Sequence, residues 1–355
     1  MRSEVRLKKS LPRRARTQKK SSYACGSLVL FGALSTIAGC SGYSAFTPGT
    51  ATMLGAQSAR GAQPAGSSHW KFSTLNNPNN QNFNALSGIN NTGKITGYTG
   101  NGSGRDPHRG FVVGDYGKDS FRPLNYPGAV DTVATSLNNS KATAGWEVSK
   151  QGAIFGFILQ GGVWTIYKDQ KLRGGTSNVT ELLGINDADL AVGFFTDEYG
   201  IDHAFELNAT VGKFHGITPQ GAYSAAATGI NGKGDIVGWM TTQKGIDSCD
   251  PGPCKIWMLK GGVFSYYAFP RAKSTEPTGV NWQDQITGSF VDSANHTHGF
   301  LLSHPLGSEG WTQIDAPHSK GATVVTSVEN HDYMVGYYID DDKGNTNGFL
   351  ATPQK

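Results

Sequence analysis

The sequence predicts an all-β fold built from repeated sheets, because three residue types recur in step along most of its 355 residues. An Asn ends a Gly-Ile-Asn-like triplet at Asn90, Asn138, Asn186, Asn231, Asn281 and Asn330, with intervals of 45 to 50 residues. A Gly follows each of these at Gly97, Gly145, Gly193, Gly238, Gly288 and Gly336. An aromatic residue then occupies a Gly-Phe-Leu-like run at Phe111, Phe157, Phe205, Trp257, Phe300 and Phe349. A period of this length lies between the periods of the WD40 and kelch repeats, which both form propellers.

Each repeat contains a fourth run that begins with an aromatic residue: Trp70, Phe121, Trp164, Phe214, Phe264 and Trp311. Four short apolar runs separated by Gly, Asn, Asp and Pro indicate a four-stranded antiparallel sheet. This is the strand content of one propeller blade. The sequence therefore predicts an all-β β-propeller with six four-stranded blades, which occupies residues 70–355.

The order of the runs predicts how the ring closes. The repeats start with an aromatic-led run at Trp70 and stop after the Gly-Phe-Leu-like run at Phe349. The N-terminal run is therefore expected to supply the fourth strand of the last blade. Closure of this kind removes exposed sheet edges.

The units resemble the HAF repeat of secreted bacterial proteins. The motif itself stands at His203-Ala204-Phe205, and a variant stands at His298-Gly299-Phe300. The resemblance covers Trp70–Thr352 and implies a propeller-like β fold. It implies no activity, because the repeat carries no catalytic motif to transfer.

The first 39 residues have the layout of a lipoprotein signal peptide. Residues 1–22 are strongly basic, and residues 23–39 are uncharged and mostly apolar but short for a membrane span. Ile37-Ala38-Gly39-Cys40 resembles the bacterial lipobox, which predicts lipid attachment at Cys40 and a location at the outer membrane or cell surface. The alternative is an ordinary cleaved signal peptide. Residues 40–69, rich in Gly, Ala, Ser and Thr, are predicted to be a flexible tether.

The net charge argues against a nucleic-acid partner. The leader holds nine of the 31 Lys and Arg residues and one of the 27 Asp and Glu residues. The remaining chain has 22 basic and 26 acidic residues, so its net charge is −4 although the whole chain has +4. The basic isoelectric point therefore reflects the leader.

Cys249 and Cys254 are predicted to form a disulfide, since they lie close together in an exported chain. The alternative is half of a zinc site, but their loop offers no further ligand.

Other polar residues have structural interpretations. An Asn can close a hairpin turn by accepting backbone N–H groups, and a Gly inside a strand permits close approach of a neighbour. The residue after that Gly, usually aromatic, is interpreted as packing between blades, with a ring of sugar-stacking platforms as the alternative.

Two sequence patterns partly match those of cation-binding sites. His296 and His298 lie two apart on a predicted strand, as a metal pair would, but the sequence shows no third ligand. The stretch 340–345 departs from the calcium loop, because its Gly comes one place early and the downstream Glu is missing. The sequence therefore predicts no metal, no cofactor and no catalytic residue.

Two function classes remain open at this stage. The first is a binding or scaffold module whose protein or glycan partner docks on a rim of long, variable loops. That rim would carry the acidic residues Asp197, Glu198, Asp247, Asp292 and Asp340. The second is an extracellular polysaccharide hydrolase or lyase with a site near the propeller axis.

Overall fold

The computed structural model describes residues 69–168, 178–249, 252–303, 310–340 and 343–354. Within these ranges the chain is almost entirely strands and turns, with one short 3₁₀ helix at Asp115–Gly117. None of its helices is long and apolar enough to cross a membrane in this part of the chain. The predicted leader, Cys40 and the tether up to residue 68 lie outside the described residues.

The strands follow one another in sets of four after β1 (Trp70–Thr74). The first set is β2 (Asn84–Ile89), β3 (Ile95–Thr99), β4 (Arg109–Val113) and β5 (Arg122–Leu124). The second is β6 (Asp131–Leu137), β7 (Thr143–Val148), β8 (Ile154–Gln160) and β9 (Val163–Tyr167). The third is β10 (Val179–Ile185), β11 (Leu190–Thr196), β12 (Asp202–Asn208) and β13 (Lys213–Gly216).

The remaining strands continue the pattern. The fourth set is β14 (Ser224–Ile230), β15 (Ile236–Thr241), β16 (Lys255–Lys260) and β17 (Val263–Tyr267). The fifth is β18 (Ser274–Val280), β19 (Ile286–Val291), β20 (Thr297–Leu302) and β21 (Trp311–Ile314). The last three strands are β22 (Ser319–Val328), β23 (Met334–Asp340) and β24 (Thr346–Pro353). Each set pairs antiparallel in chain order, which confirms the predicted all-β fold of four-stranded sheets.

The N-terminal strand pairs with the C-terminal one. β1 lies antiparallel to β24, with Trp70 opposite Pro353 and Thr74 opposite Phe349. It is therefore the fourth strand of the sheet that β22, β23 and β24 begin. Single parallel pairs, Val179 with Ile154 and Thr297 with Ala322, link neighbouring sheets on two sides.

The first strands of the sheets contact one another in cyclic order. β2 contacts β6, and the series continues through β10, β14 and β18 to β22, which contacts β2 again. Hydroxyl groups on these strands bridge to the next one, as when Thr326 donates to the carbonyl of Leu86 at 2.8 Å. The first strands consequently surround a common centre.

The glycine of the second strand in each set permits tight packing, as predicted. A Cβ at Gly97 would collide with the carbonyl oxygen of Ala85 and would lie 2.7 Å from Cζ of Phe111. Gly336 has the same relation to Val324 and Phe349. The aromatic ring of the third strand therefore lies directly against the backbone of the second.

The residues after these glycines are buried between sheets. Tyr98, Trp146, Phe194, Trp239, Ser289 and Tyr337 are each at most 7% exposed. Tyr98, Trp146 and Tyr337 share one apolar cluster that spans three sheets. The packing interpretation is thus confirmed, and these rings offer no open face to a sugar.

The turn asparagines form a hydrogen-bonded series around the centre. Each accepts the backbone N–H group four residues on, and all but Asn138 also accept the one two residues on, as Asn90 does from Lys94 and Thr92 at 3.0 and 3.1 Å. Each also donates its amide to the equivalent backbone carbonyl of the next sheet, at 2.9 to 3.3 Å, from Asn90, Asn138, Asn186, Asn231 and Asn281.

The sixth member of this series is Glu329, and its assignment to Asn330 is wrong. The Glu329 Oε1 atom accepts from the N–H groups of His331 and Tyr333 at 2.8 and 3.1 Å, as the asparagine oxygens do in the other turns. Asn330 instead matches Asn91, whose Oδ1 accepts the Asn330 N–H at 3.0 Å. The turn residue of the last repeat is therefore one position earlier than the sequence assignment, while Gly336 and Phe349 stand where the sequence places them.

Candidate functional site

The longer connections gather at one end of the sheets. Because neighbouring strands are antiparallel, the connection after the second strand of a set leaves from the same end as the connection after the fourth. We call this end the long-loop rim. The connections after the second strands there are 100–108, 149–153, 197–201, 242–254, 292–296 and 341–345. Asp197, Glu198, Asp247, Asp292 and Asp340 all lie at this end, as the strand order requires.

Asp197 closes its own loop. Its Oδ1 atom accepts the backbone N–H groups of Tyr199 and Ile201 at 2.8 and 3.0 Å. Its Oδ2 atom lies 2.8 Å from Nε2 of His203. Burial raises the pKa of Asp197, but these hydrogen bonds outweigh it and leave the pKa below its usual value. The carboxylate therefore fixes the hairpin, and the histidine of the HAF motif is its partner.

Asp292 and Asp340 do the same in two other sheets. The Oδ1 atom of Asp292 accepts from Ala294 and His296, each at 2.8 Å. The Oδ1 atom of Asp340 accepts from Lys343 and Asn345 at 2.9 and 3.1 Å. Three of the five predicted rim acids are thus structural elements of the loops that carry them.

Glu198 and Asp247 are the rim acids without such a turn. Glu198 is exposed, and Tyr199 beside it is 78% exposed, which is unusual for a large aromatic side chain. Asp247 comes from the next sheet, and its Oδ2 atom would lie 3.8 Å from a Cβ at Gly200. The structure therefore brings Glu198, Tyr199 and Asp247 into one area of the rim.

The charge of the rim as a whole is mixed. Lys150, Lys244, Arg271 and Lys273 lie on the connections of the same end. Among the described residues of the rim, Glu198 and Asp247 lie where the loops of the third and fourth sheets meet, and Asp292 and Asp315 lie together around His298. A uniformly acidic rim is therefore not what the fold presents.

Two buried carboxyl groups that sequence reasoning missed lie beneath that area. Glu181 on β10 is 0% exposed, and neither of its carboxyl oxygens has a hydrogen-bond partner among the described residues. Burial raises its pKa well above the usual value, and the charge of Asp202 adds to the shift. Asp202 is 2% exposed and accepts from the Thr196 hydroxyl at 2.7 Å. Both side chains are shielded from solvent, so neither contacts a molecule on the rim.

His108, which precedes the third strand of the first sheet, belongs to the core. It is 1% exposed and meets the rings of Tyr98 and Trp146 edge-on, at centroid distances of 5.2 and 6.0 Å. Burial, with a smaller contribution from Arg109, lowers its pKa to about 4. It is therefore a neutral packing residue at physiological pH.

His298 has more polar neighbours than either of the other two. Its Nδ1 atom lies 2.9 Å from Oδ1 of Asp315, and its Nε2 atom lies 3.5 Å from Oδ2 of Asp292. The Nδ1 atom of His296 lies 3.5 Å from the same Asp292 oxygen. The structure thus supplies the third group that the sequence did not reveal beside this histidine pair.

The opposite rim has a shallow central depression lined by the turn residues around Asn90, Asn138, Asn186, Asn231, Asn281 and Glu329. The side-chain amide groups there bond mainly to backbone N–H groups of their own turn and to backbone carbonyls of the next turn. Trp282, at 52% exposure, is a large exposed apolar side chain beside the depression.

Comparisons with known proteins show the fold alone. No protein-family model matches the sequence, and no curated protein does. A putative TolB from Agrobacterium tumefaciens has a TM-score of 0.52 at 9% identity, with 81% of this chain and 99% of that chain covered. TolB from Acinetobacter baumannii gives 0.47 at 11% identity, and the match covers 74% of this chain but only 64% of that one. A lectin of Aleuria aurantia, solved with α-methyl-L-fucoside, gives 0.44 at 11% identity, covering 81% and 96%.

The match to the Agrobacterium protein is the one that bears on the fold, since it has a TM-score of 0.52 and covers 99% of the Agrobacterium chain. Together with the cyclic order of the first strands, it supports a β-propeller. At such low identity the likeness carries no information about ligand or activity.

Proposed function

We propose that this protein is an exported lipoprotein, anchored at a membrane through Cys40, whose six-bladed β-propeller is a binding module. Closure by β1 and the cyclic contacts of the first strands support the blade count. Protein or glycan partners dock on the long-loop rim. Repetitive scaffolds commonly present variable loops on one face for this purpose.

The observation that carries the proposal is that the ends of these loops are held by similar hydrogen bonds, whereas the residues between the ends differ. Asp197 and Asp292 hold their hairpins by accepting the backbone N–H groups two and four residues on, and Asp340 does so with those three and five residues on. The residues between the fixed ends differ in sequence and length from sheet to sheet. The rim is therefore a set of rigidly mounted, divergent loops.

Tyr199 is the proposed centre of contact. Its backbone N–H is held by Asp197, while its ring is 78% exposed beside Glu198. Exposed aromatic residues on a fixed backbone are frequent anchors of protein and glycan interfaces. Asp247, contributed by the next sheet, extends this surface.

The binding test compares two exposed aromatic residues on opposite rims. The mature protein is screened against glycan and protein panels, and hits are measured again with Tyr199→Ala and Trp282→Ala. The proposal expects Tyr199→Ala to weaken binding at least tenfold and Trp282→Ala to leave it unchanged. The reverse pattern would place the site on the opposite rim.

The anchor has its own test. Cys40→Ala is expected to release the protein from the membrane fraction and to abolish labelling by palmitate analogues, because acyl chains provide about 0.8 kcal/mol per buried CH₂. A variant that remains equally membrane-bound would contradict lipidation.

Mass spectrometry of unreduced peptides adds a check on export, since the structure joins Cys249 to Cys254 by a disulfide and such bonds persist in oxidising compartments.

A further inference from the structure

Asp292, His296 and His298 bring three potential metal ligands together on the long-loop rim. One ligand atom from each lies within 4.8 Å of the other two. The Asp292 Oδ2 atom is 3.5 Å from Nδ1 of His296 and 3.5 Å from Nε2 of His298. Ligand atoms about 2.1 Å from one Zn²⁺ are roughly 3.4 Å apart in a tetrahedral arrangement. The side chains therefore need little rearrangement to share an ion.

The surrounding hydrogen bonds fix two of these ligands in advance. The Oδ1 atom of Asp292 is occupied by the N–H groups of Ala294 and His296, so Oδ2 is the oxygen left to face the histidines. Asp315 holds the Nδ1 side of His298 at 2.9 Å and also accepts from Gln313 at 2.7 Å. A carboxylate behind a metal-binding histidine orients the ring in this way in many metal sites.

A purely structural role does not explain the whole group. The Asp197 loop has the same turn with one histidine, and Ile201 occupies the place of His296. In that loop the aspartate contacts its histidine directly, at 2.8 Å. The Asp340 loop has Asn345 and Asn347 at the two positions. The turn therefore closes with other residues at this position, and it does not require the imidazole side chain of His296.

Access to the cluster is open. The His296 side chain is 58% exposed and that of Asp292 is 30% exposed, while His298 is 19% exposed. Three protein ligands with an open side leave a position for water or for an oxygen of a ligand.

We propose that Asp292, His296 and His298 bind a divalent transition metal of the zinc class, with Asp315 as a positioning residue behind His298. Two imidazoles and one carboxylate are a ligand set that suits zinc and its neighbours better than calcium or magnesium. The site goes beyond the proposed binding function and does not depend on it.

The test is calorimetric titration of ZnCl₂ into untagged protein that has been treated with a chelator, with CaCl₂ as the comparison ion. Wild type is expected to bind one Zn²⁺ per chain with micromolar or tighter affinity, and Zn²⁺ is expected to raise its Tm. Asp315→Asn is expected to weaken zinc binding about 10 to 100-fold without changing the metal-free Tm. His296→Ile, which copies the residue at Ile201, is expected to weaken it more. His331→Ala on the opposite rim is the matched control and should bind as wild type does.

Wild-type protein without zinc heat and without a zinc-dependent Tm shift overturns the proposal. Zinc binding by His296→Ile at wild-type affinity overturns it as well. Should that variant fail to fold, Co²⁺ added to wild type decides. Visible bands of nitrogen-coordinated Co²⁺, displaced by Zn²⁺, support the site, and the spectrum of hydrated Co²⁺ alone overturns it.

Discussion

Asn281 donates its side-chain amide to the backbone carbonyl of Glu329 at 3.3 Å, and Glu329 has no amide to pass on to Asn90. The first five turns are linked by asparagine side chains, each reaching the next sheet. Between the last sheet and the first, the link comes from the next position in the turn, where the Asn330 N–H donates to Asn91. Among the described residues, the series of side-chain amide links is therefore interrupted at the junction of the last sheet with the first.

Asn186→Ala is expected to destabilise the protein by about 2 to 4 kcal/mol. The buried side chain accepts from Ala188 and Leu190 at 3.0 and 3.1 Å and donates to Asn231 at 3.0 Å. Removing it leaves buried partners unsatisfied, at about 1 to 3 kcal/mol each when no water replaces it. Urea denaturation measures the loss. Asn208→Ala, which removes one exposed 3.4 Å contact, is the control, and equal effects of the two variants would contradict the structural role.

Glu329→Asn is expected to stabilise the protein by about 0.5 to 2 kcal/mol, the usual range for a substitution that restores a repeat consensus. The asparagine would keep the N–H acceptor of the turn and add a donor facing Asn90. The variant would lose the 2.7 Å contact between the buried Glu329 carboxylate and Nδ1 of His331, a small cost because the histidine side chain is 66% exposed. Thermal unfolding is the measurement. A lower Tm would contradict the prediction, because it would show that the last turn does not accommodate an asparagine at position 329 as the other turns do.

The repeat period and strand count could be predicted from the sequence because backbone constraints impose them. Glycines such as Gly97 and Gly336 recur since a ring and a carbonyl occupy the space of a Cβ. The turn residue of the last repeat was harder to predict. Glu329 accepts the same N–H groups as an asparagine, while a real asparagine stands next to it at Asn330.

The site residues were less predictable, because they depend on how loops fold back. Asp292 joins His296 and His298 only because its turn brings positions four and six residues apart to the same carboxylate. Asp315 comes from the end of another strand. Glu181 lies in the apolar run Val179–Ile185, where a sequence pattern gives no sign of whether a lone carboxylate points inward or outward.

Glu181→Gln is expected to raise stability at alkaline pH and to flatten its pH dependence. Burial, with the charge of Asp202, puts the folded-state pKa of Glu181 well above the usual value of 4.5. Within the range between those two pKa values the folded state binds more protons than the unfolded state. Wild-type stability therefore falls as pH rises above about 4.5, by about 1.4 kcal/mol per pH unit. Glutamine has nearly the same shape and no charge to bury.

Denaturation of both proteins at pH 5 and pH 8 measures the effect. The gain from Glu181→Gln should be larger at pH 8. The control is Glu198→Gln, an exposed change expected to stay within about 0.5 kcal/mol at both pH values. A Glu181 variant with the same pH slope as wild type would contradict the prediction, because it would show that this carboxyl ionises in the folded state much as it does in the unfolded state.

Phe72→Ala is expected to cost about as much as the equivalent substitution in an interior sheet, because β1 is the outer strand of the last sheet. The Phe72 ring packs on Phe349 at a centroid distance of 5.4 Å, and Phe214 on β13 packs on Phe205 at 4.9 Å. Both are half-buried, so each truncation should lower the free energy of unfolding by about 1 to 3 kcal/mol. Deleting residues 70–75 should go further and cause unfolding or aggregation, because β24 would then present an unpaired edge. If Phe72→Ala and the deletion both melt like wild type while Phe214→Ala is destabilised, β1 does not close the ring in solution.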